Sequence, residues 1–169
     1  DEVRGQLADA AASVLMKILY AARMARFDLL RPVQGLAKWF TKWKKRHDNE
    51  LCRFVCYIHI TKGKQMIGWV ADDIDDIQPD LFSDSDFAGT EGTQKSTSGV
   101  HFCLRGPNTS FPLAGQSKIQ GCTSLSTTEA ELVAGALALK TAGVPALISM
   151  QILTIAANLR GNPATVLHF

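Results

Sequence analysis

The most constraining feature of this sequence is a change in its apolar periodicity near the middle of the chain. Apolar residues recur with helical spacing up to about residue 67, first in AAASVLMKILYAARMARFDLL and again from Pro32 to about residue 64. From Leu81 onward, short apolar runs alternate with turn residues, which is typical of strands. The sequence therefore predicts an α+β chain, with a helical segment at 1–67 and a mixed domain at 68–169 that is large enough to bury a core.

The second half predicts three antiparallel strands, a helix and a further strand, which together form a mixed sheet. The three strands are LFSDSDF, SGVHFCLRG and SFPLAGQSK continued through GCTSL; the further strand is ATVLHF, and MIGWVADD is an additional short strand. The helix is STTEAELVAGALALK, where Ser126 and Glu129 form a capping box that satisfies helix-end amides reciprocally. Glu129 thus has a structural role, whereas Glu131 lies on the small-residue face that packs on the sheet.

Three acidic residues stand where this helix and the first strand are expected to meet. A carboxylate on the sheet-packing side of a helix is costly unless a cation meets it. We therefore expect the strand carboxylates Asp84 and Asp86 and the helix carboxylate Glu131 to converge on a divalent-metal site, with Asp84 and Glu131 facing each other at the exposed rim. A calcium-binding loop starting at Asp84 is excluded, because Ala88 and Lys95 stand where such a loop needs oxygen ligands.

A basic segment precedes this acidic one. Between residues 23 and 64, 11 Lys or Arg residues stand against three acidic residues. Two tryptophans one helical turn apart lie among the lysines, an arrangement that can stack on bases and neutralise a nucleic acid backbone. The alternative is a solvated lysine-rich face with one tryptophan in the core. The residues predicted to bind nucleic acid are Lys38, Trp39, Lys42, Trp43, Lys44 and Lys45.

Cysteine usage and hydropathy bear on location and on metals. Cys52, Cys56 and His59 lie at i, i+4 and i+7 of a predicted helix, so a zinc site is one alternative, but buried structural cysteines are favoured. Four cysteines without a dense framework, and a start unlike a signal peptide, predict an intracellular location, cytoplasmic or nuclear. The uncharged run at 141–159 is long enough to cross a bilayer. Its helical spacing and Pro145 favour a core helix, with no membrane partner.

Three motifs in order, FSDSDFAG, KSTSG and LSTTEAEL, resemble the ribonuclease H domain of copia-type retrotransposon polyproteins. The corresponding stretches of that family resemble S-D-A-D-W-A-G, R-S-T-S-G and S-S-T-E-A-E-Y at matching intervals. This resemblance covers about residues 68 to 169. Upstream, LMKILYAARMARFDLL resembles the end of the reverse transcriptase, its thumb and connection, although Phe27 stands where the family usually has proline.

The resemblance implies a partial ribonuclease H-like fold, whose intact relatives hydrolyse the RNA strand of RNA–DNA hybrids with two Mg²⁺ (or Mn²⁺) ions. Asp84 matches the metal-binding strand aspartate and Glu131 the helix glutamate, and Asp86 is a supporting metal residue. In the family a third and a fourth acidic residue follow the strand that matches ATVLHF, whereas this sequence ends at Phe169. We therefore expect a weakly bound metal and a catalytically incomplete, inactive fragment, with the remainder of the polyprotein and, in intact relatives, nucleic acid as partners.

Two other functions stay open at this point. The chain can be a non-catalytic remnant that binds nucleic acid through its basic helical segment. It can also be a structural or interaction module that keeps only the scaffold. A hybrid-cleavage assay separates the hydrolase from both alternatives, and salt-dependent binding separates the two alternatives from each other.

Overall fold

A computed structural model of the chain describes residues 3–90, 92–156 and 166–168. The chain divides into two compact units, Asp1–Met66 and Ile67–Phe169. The division lies one residue before the boundary placed from the sequence. The interpretation of the first unit as thumb- and connection-like, and of the second as ribonuclease H-like, stays a prediction.

The first unit is helical. It consists of α1 (Ala8–Ala25), α2 (Leu30–Ala37) and α3 (Lys45–Ile60), with single 3₁₀ turns at Phe27–Leu29 and Phe40–Lys42. The sequence predicts continuous helical character from Pro32 to about residue 64, which is wrong at Trp43 and Lys44, because both residues have extended backbone angles. A new helix starts here because the Lys44 amide donates to His47 Nδ1 at 2.9 Å, which satisfies a helix-end group.

The core of the first unit combines apolar side chains with one carboxylate that ties the N-terminal loop to α3. Asp48 accepts hydrogen bonds from the indole Nε1 of Trp43 (2.8 Å) and from the amides of Gln6 (2.7 Å) and Leu7 (3.2 Å). A Cβ atom on Gly5 would lie 2.5 Å from Asp48 Oδ1, so this close approach requires glycine. The buried apolar residues are Ala11, Leu15, Ala22, Leu29, Leu30, Val33, Leu36, Trp43, Leu51 and Phe54.

The second unit is built on a four-stranded mixed sheet. Its strands are β1 (Gln78–Thr90), β2 (Lys95–Gly106), β3 (Thr109–Ile119) and β4 (Val166–His168), in the order β3-β2-β1-β4. The first three strands are antiparallel, and β4 is parallel to β1. This confirms the predicted α+β class, with three antiparallel strands, a helix and a further strand. The segment MIGWVADD forms only an isolated bridge, Trp69 to Ser110, and β3 ends before GCTSL.

One helix covers one face of this sheet. α4 (Thr127–Ala138) presents Ala130, Ala134 and Ala138, all fully buried, in a row at helical spacing. These small side chains let the helix approach the strands closely, as the sequence predicts. The apolar cluster beneath them contains Leu81 of β1 and the β2 residues Val100 and Phe102, together with Ala138.

The helix that follows differs from its prediction. A π-helical turn at Leu139–Gly143 joins α4 to α5 (Val144–Ala156). The predicted core helix is wrong for α5, because none of its residues is buried, and Ile152 and Ile155 are 60% and 81% exposed. By length and hydropathy alone, the helix from Thr127 to Ala156 could cross a bilayer, a property that core helices of soluble proteins share.

Candidate functional site

Glu131 is held where α4 meets the middle of β1. Its Oε1 atom accepts hydrogen bonds from the amide (3.3 Å) and the hydroxyl (3.2 Å) of Ser85. Its Oε2 atom is buried and has no hydrogen-bond partner among the described residues. A buried carboxylate oxygen without a donor or a cation is costly, and a bound cation or a water molecule would satisfy this atom.

Asp84 immediately precedes the residue that Glu131 contacts. Its side chain is exposed. Successive side chains of a strand point to opposite faces, and Leu81 and Ser85 face α4, so Asp84 leaves the other face of β1. The structure thus brings Glu131 to the Asp84–Ser85 peptide, and the expectation that Asp84 and Glu131 face each other is wrong, because strand alternation turns Asp84 to the other face. The assignment of Asp84 and Glu131 as metal ligands stays a prediction.

Asp86 has a structural contact at the end of the first hairpin. Its Oδ1 atom accepts a hydrogen bond from the Thr97 amide across β1 and β2. The strand pairing becomes irregular directly after Asp86, where Ala88 has a positive φ of 52°. The predicted supporting role of Asp86 at a metal stays untested, but its carboxylate also shapes the backbone beside Asp84.

The two glutamates of α4 have different environments, as the sequence predicts. The hydroxyl of Ser126 accepts from the Glu129 amide at 3.1 Å, which confirms the first half of the capping box. The second half differs by one residue, because Glu129 Oε2 accepts from the amide of Leu125 (2.7 Å) rather than from that of Ser126. Glu129 therefore serves its own helix end, and Glu131 faces the sheet.

Ser85 is the site residue that sequence reasoning missed. It donates both of its hydrogen-bonding groups to one oxygen of Glu131 and so fixes the direction of the other oxygen. The signal was available, since Leu81, Ser83 and Ser85 alternate along β1 and must share one face. The orphaned Oε2 atom fits a hard cation, because carboxylate oxygens are what Mg²⁺ prefers. Among the described residues, no group of three His, Cys, Asp or Glu side chains is arranged to hold a metal.

A second buried carboxylate lies at the start of β1, where nothing in the sequence marks it. Asp80 Oδ2 lies 3.5 Å from Nε2 of His168, which β4 places beside it, and the His168 ring stacks on Phe82 with centroids 4.4 Å apart. The contacts of His168 with Asp80 and Phe82 join β4 to the sheet. Burial, which is the larger cause, and the Asp80 carboxylate raise the pKa of the Cys103 thiol.

The basic segment is split between core and surface. Trp43 is only 4% exposed and donates its indole N–H to Asp48, so it offers no ring face to a base. Trp39 stacks on His47 with centroids 5.0 Å apart, and the cations of Lys38 and Arg46 lie 5.3 and 5.1 Å from the Trp39 ring centroid. One tryptophan in the core is what the alternative interpretation of this segment expects.

The lysines of the segment have different exposures. Lys38, Lys42 and Lys45 are exposed, whereas Lys44 is half-buried at the start of α3. Burial lowers the pKa of His47, the group on which Trp39 stacks. The predicted binding of nucleic acid by this segment stays a prediction, with the exposed lysines as its accessible part.

The cysteines of α3 contradict the sequence-based interpretation. Cys52 and Cys56 are exposed free thiols, so their assignment as buried structural residues is wrong. Only the stripe through Leu51 and Phe54 of this helix enters the core, and the thiols lie outside it. Elsewhere, Cys103 is buried and Cys122 is exposed.

Comparison with curated proteins finds a similarity to the retrovirus-related Pol polyprotein from transposon TNT 1-94 of Nicotiana tabacum. The two sequences are 29% identical over 123 residues, which make up 73% of this chain and 9% of that polyprotein. The chain therefore spans a small part of the relative it matches. No family model matches the chain, and no solved structure matches it. This similarity supports the identification of the chain as part of a retrotransposon polyprotein.

Proposed function

We propose that the Ile67–Phe169 unit is a ribonuclease H-like segment of a copia-type retrotransposon polyprotein. In this proposal, Asp84 and Glu131 are two of the carboxylates that bind divalent metal for hydrolysis of the RNA strand of RNA–DNA hybrids. The remainder of the polyprotein is the natural partner of the chain. Because such hybrids arise inside cells, the proposal assigns the chain to the cytoplasm or the nucleus.

The observation that carries the proposal is the environment of Glu131. Ser85 fixes one carboxylate oxygen with two hydrogen bonds, and the second oxygen is buried without a partner in the described chain. A fold that only needed a hydrogen-bond acceptor for Ser85 would be served equally by glutamine. The retained negative charge is explained by a cation. Asp84 leaves the other face of β1, so its place in the metal site rests on the family resemblance alone.

Each residue has a defined task in this proposal. Ser85 orients Glu131 and keeps one of its oxygens occupied. Glu131 holds Mg²⁺ or Mn²⁺ through its second oxygen, the resemblance adds Asp84 as a further metal carboxylate, and Asp86 maintains the backbone that presents Asp84. When bound, the metal supplies electrostatic stabilisation of the charged oxygens in phosphodiester hydrolysis.

Metal titration of the full 169-residue chain tests the proposal directly. We expect Mn²⁺, followed by the loss of its free electron paramagnetic resonance signal, to bind with a dissociation constant on the order of 1 mM. Glu131→Gln and Asp84→Asn should each weaken binding, because each removes a negative ligand. Glu129→Gln is the matched control, since glutamine still accepts the Leu125 amide. Equal binding by Glu131→Gln and the unchanged chain would contradict the metal site; a loss in Glu131→Gln alone would remove Asp84 from it.

Cleavage of an RNA–DNA hybrid tests the completeness of the site. The resemblance assigns two carboxylates to these 169 residues, too few to stabilise both the attacking and the leaving oxygens. We therefore expect negligible cleavage by the chain alone in Mg²⁺ or Mn²⁺. Robust cleavage that disappears in Asp84→Asn would show that the site is complete.

A second candidate function is binding of nucleic acid without catalysis. It is favoured by the exposure of Lys38, Lys42 and Lys45, and by the cations near the half-buried ring of Trp39. Neutralisation of phosphates by these lysines would give weak affinity that is independent of sequence and falls steeply as salt rises. Base stacking contributes little in this candidate, because Trp43 is buried and Trp39 already stacks on His47.

Fluorescence anisotropy with a labelled duplex or hybrid tests this candidate. We expect replacement of Lys38, Lys42 and Lys45 by glutamate to abolish the salt-dependent binding. The matched control replaces Lys17, Lys62 and Lys64, which are also exposed and belong to the same unit. An equal loss in both triple variants would indicate a response to net charge, and an unchanged affinity in the first would show that these lysines form only a solvated face.

A further inference from the structure

We infer that Cys52 and Cys56 form a two-thiolate site on α3 that takes a soft monovalent metal ion of the Cu(I) class. The inference concerns the helical unit and is independent of the function proposed above. It uses two free thiols that neither the core nor the proposed metal centre employs.

The two cysteines are exposed and rigidly held. Both thiols are exposed, and they lie in the interior of α3 at positions i and i+4. The helix between and beside them is anchored in the core by Leu51 and Phe54, which are 3% and 7% exposed. The two thiols are therefore presented to solvent on one side of a helix that its own core fixes in place.

The spacing of Cys52 and Cys56 does not suit a disulfide. Residues at i and i+4 of a helix have Cβ atoms about 5–6 Å apart. A disulfide requires a Cβ–Cβ distance of about 3.5–4.5 Å, so bonding the two sulfurs would distort the anchored helix. A metal bridge is longer, because two sulfur–metal bonds of about 2.3 Å can separate the sulfurs by up to about 4.6 Å. The pair is thus spaced for a bridging cation.

The number and type of ligands favour Cu(I) over Zn²⁺. Thiolates are soft ligands that favour Cu(I) or Zn²⁺. Zn²⁺ takes four ligands, but in the described ranges no three His, Cys, Asp or Glu side chains are grouped to hold a metal. A bis-thiolate Cu(I) complex needs two ligands only. His59, which is exposed one turn further along α3, is therefore not required.

The binding step is an exchange of protons for a cation. Each thiol loses its proton to solvent as its sulfur bonds the metal, so one Cu(I) displaces two protons. Neither copper nor sulfur changes its oxidation state. Because protons compete with the metal, affinity should fall as the pH is lowered.

The test is an anaerobic titration of the reduced 169-residue chain with Cu(I) against a coloured Cu(I) chelator. We expect one tightly bound ion per chain and a thiolate-to-copper absorption band in the ultraviolet. C52S and C56S should each lower the affinity by more than about 100-fold, since loss of a mere supporting residue already costs about 10–100-fold. Far-ultraviolet circular dichroism checks that both variants keep their helices, as substitutions at exposed positions should.

Controls within the chain keep the inference falsifiable. C122S removes another exposed thiol and should leave tight binding unchanged, and H59A should do the same. Bound Cu(I) should protect Cys52 and Cys56, but not Cys122, from alkylation mapped by mass spectrometry. Tight binding that survives C52S and C56S, an equal loss in C122S, a strong loss in H59A, or one ion shared by two chains in light scattering would each overturn the two-thiolate site.

Discussion

Asp48 of the helical unit and Glu131 of the sheet unit are carboxylates in opposite situations. Asp48 accepts three hydrogen bonds from its own unit, and the indole of Trp43, the largest cause, holds its pKa below the ordinary value. Glu131 has one oxygen bound to Ser85 and the other buried without a partner among the described residues. The first carboxylate is explained by the fold, whereas the second requires something in addition to the fold.

The two units also differ in how many apolar residues they bury. The helical unit gathers ten buried apolar residues into one cluster. In the described part of the sheet unit, the corresponding cluster has four, and the isoleucines of α5 stay exposed. The helical unit thus buries more apolar side chains than the described part of the sheet unit does. The sheet therefore depends on fewer core residues.

The largest effect is expected for Leu81→Ala. Leu81 is fully buried beneath α4, and such truncations leave a cavity that costs about 2–5 kcal/mol in the free energy of unfolding. Hydrogen exchange should show lost amide protection in β1 and β2. Leu15→Ala, at an equally buried position of α1, should cost a similar energy but leave more of its cluster in place. Protection of β1 that survives Leu81→Ala would show that the sheet has other support.

A smaller loss is expected for Gly5→Ala in the helical unit. The added Cβ would lie 2.5 Å from Asp48 Oδ1 and 2.7 Å from Trp43 Cδ1, and such overpacking costs about 1–3 kcal/mol. Urea unfolding followed by tryptophan fluorescence measures the change. Gly35→Ala is the control, because no atom lies within 4 Å of its added Cβ. That variant should gain about 0.5–1 kcal/mol, as alanine is the better helix former.

A gain in stability is expected for Glu131→Gln. Glutamine can still accept from Ser85 with its carbonyl oxygen, and it removes a carboxylate charge whose Oε2 atom has no hydrogen-bond partner among the described residues. The free energy of unfolding in metal-free buffer should rise by up to about 1 kcal/mol. Glu129→Gln should change it little, because the contact with Leu125 is kept. A loss of stability in Glu131→Gln would show that the charge itself supports the fold.

The smallest effect is confined to acid and concerns His47. Burial lowers its pKa in the folded state, so the unfolded chain takes up a proton first as the pH falls. Its contribution to stability is therefore complete above the unfolded value of about 6.5 and is lost as the pH decreases through and below it. Urea midpoints measured across this range should fall less in His47→Phe than in the unchanged chain. His59→Ala, at an exposed position, should keep the original slope.

The predictable parts of this molecule are those whose signals are local. The strand alternation from Leu81 and the Ser126–Glu129 cap predict β1 and the start of α4, because both depend on neighbours within a few residues. The break at Trp43 was not predicted, because it depends on residues distant in the sequence. Asp48 accepts from the Trp43 indole, and the amides of Gln6 and Leu7 in the N-terminal loop hold Asp48 in place.

In the candidate site, too, some features were predictable from local spacing and others were not. The direction of Glu131 was predictable from helical spacing, and that of Ser85 from strand alternation. The separation of Asp84 from Glu131 was not predicted, although the same strand alternation that turns Ser85 towards α4 turns Asp84 to the other face. The exposure of Cys52 and Cys56 was not predictable, because helical spacing fixes which residues share a side and not which side enters the core.

The π-helical turn between α4 and α5 makes the second helix unusually sensitive to insertion and deletion. Such a turn accommodates one residue more than an α-helix would, and each residue turns an α-helix by about 100°. The turn brings Gly143 against the strands, where an added Cβ would lie 3.0 Å from Leu81 Cδ2. Deleting one codon within it would rotate α5 about its axis without touching its sequence. The direction in which the exposed isoleucines point therefore depends on the number of residues in the turn and not on which residues they are.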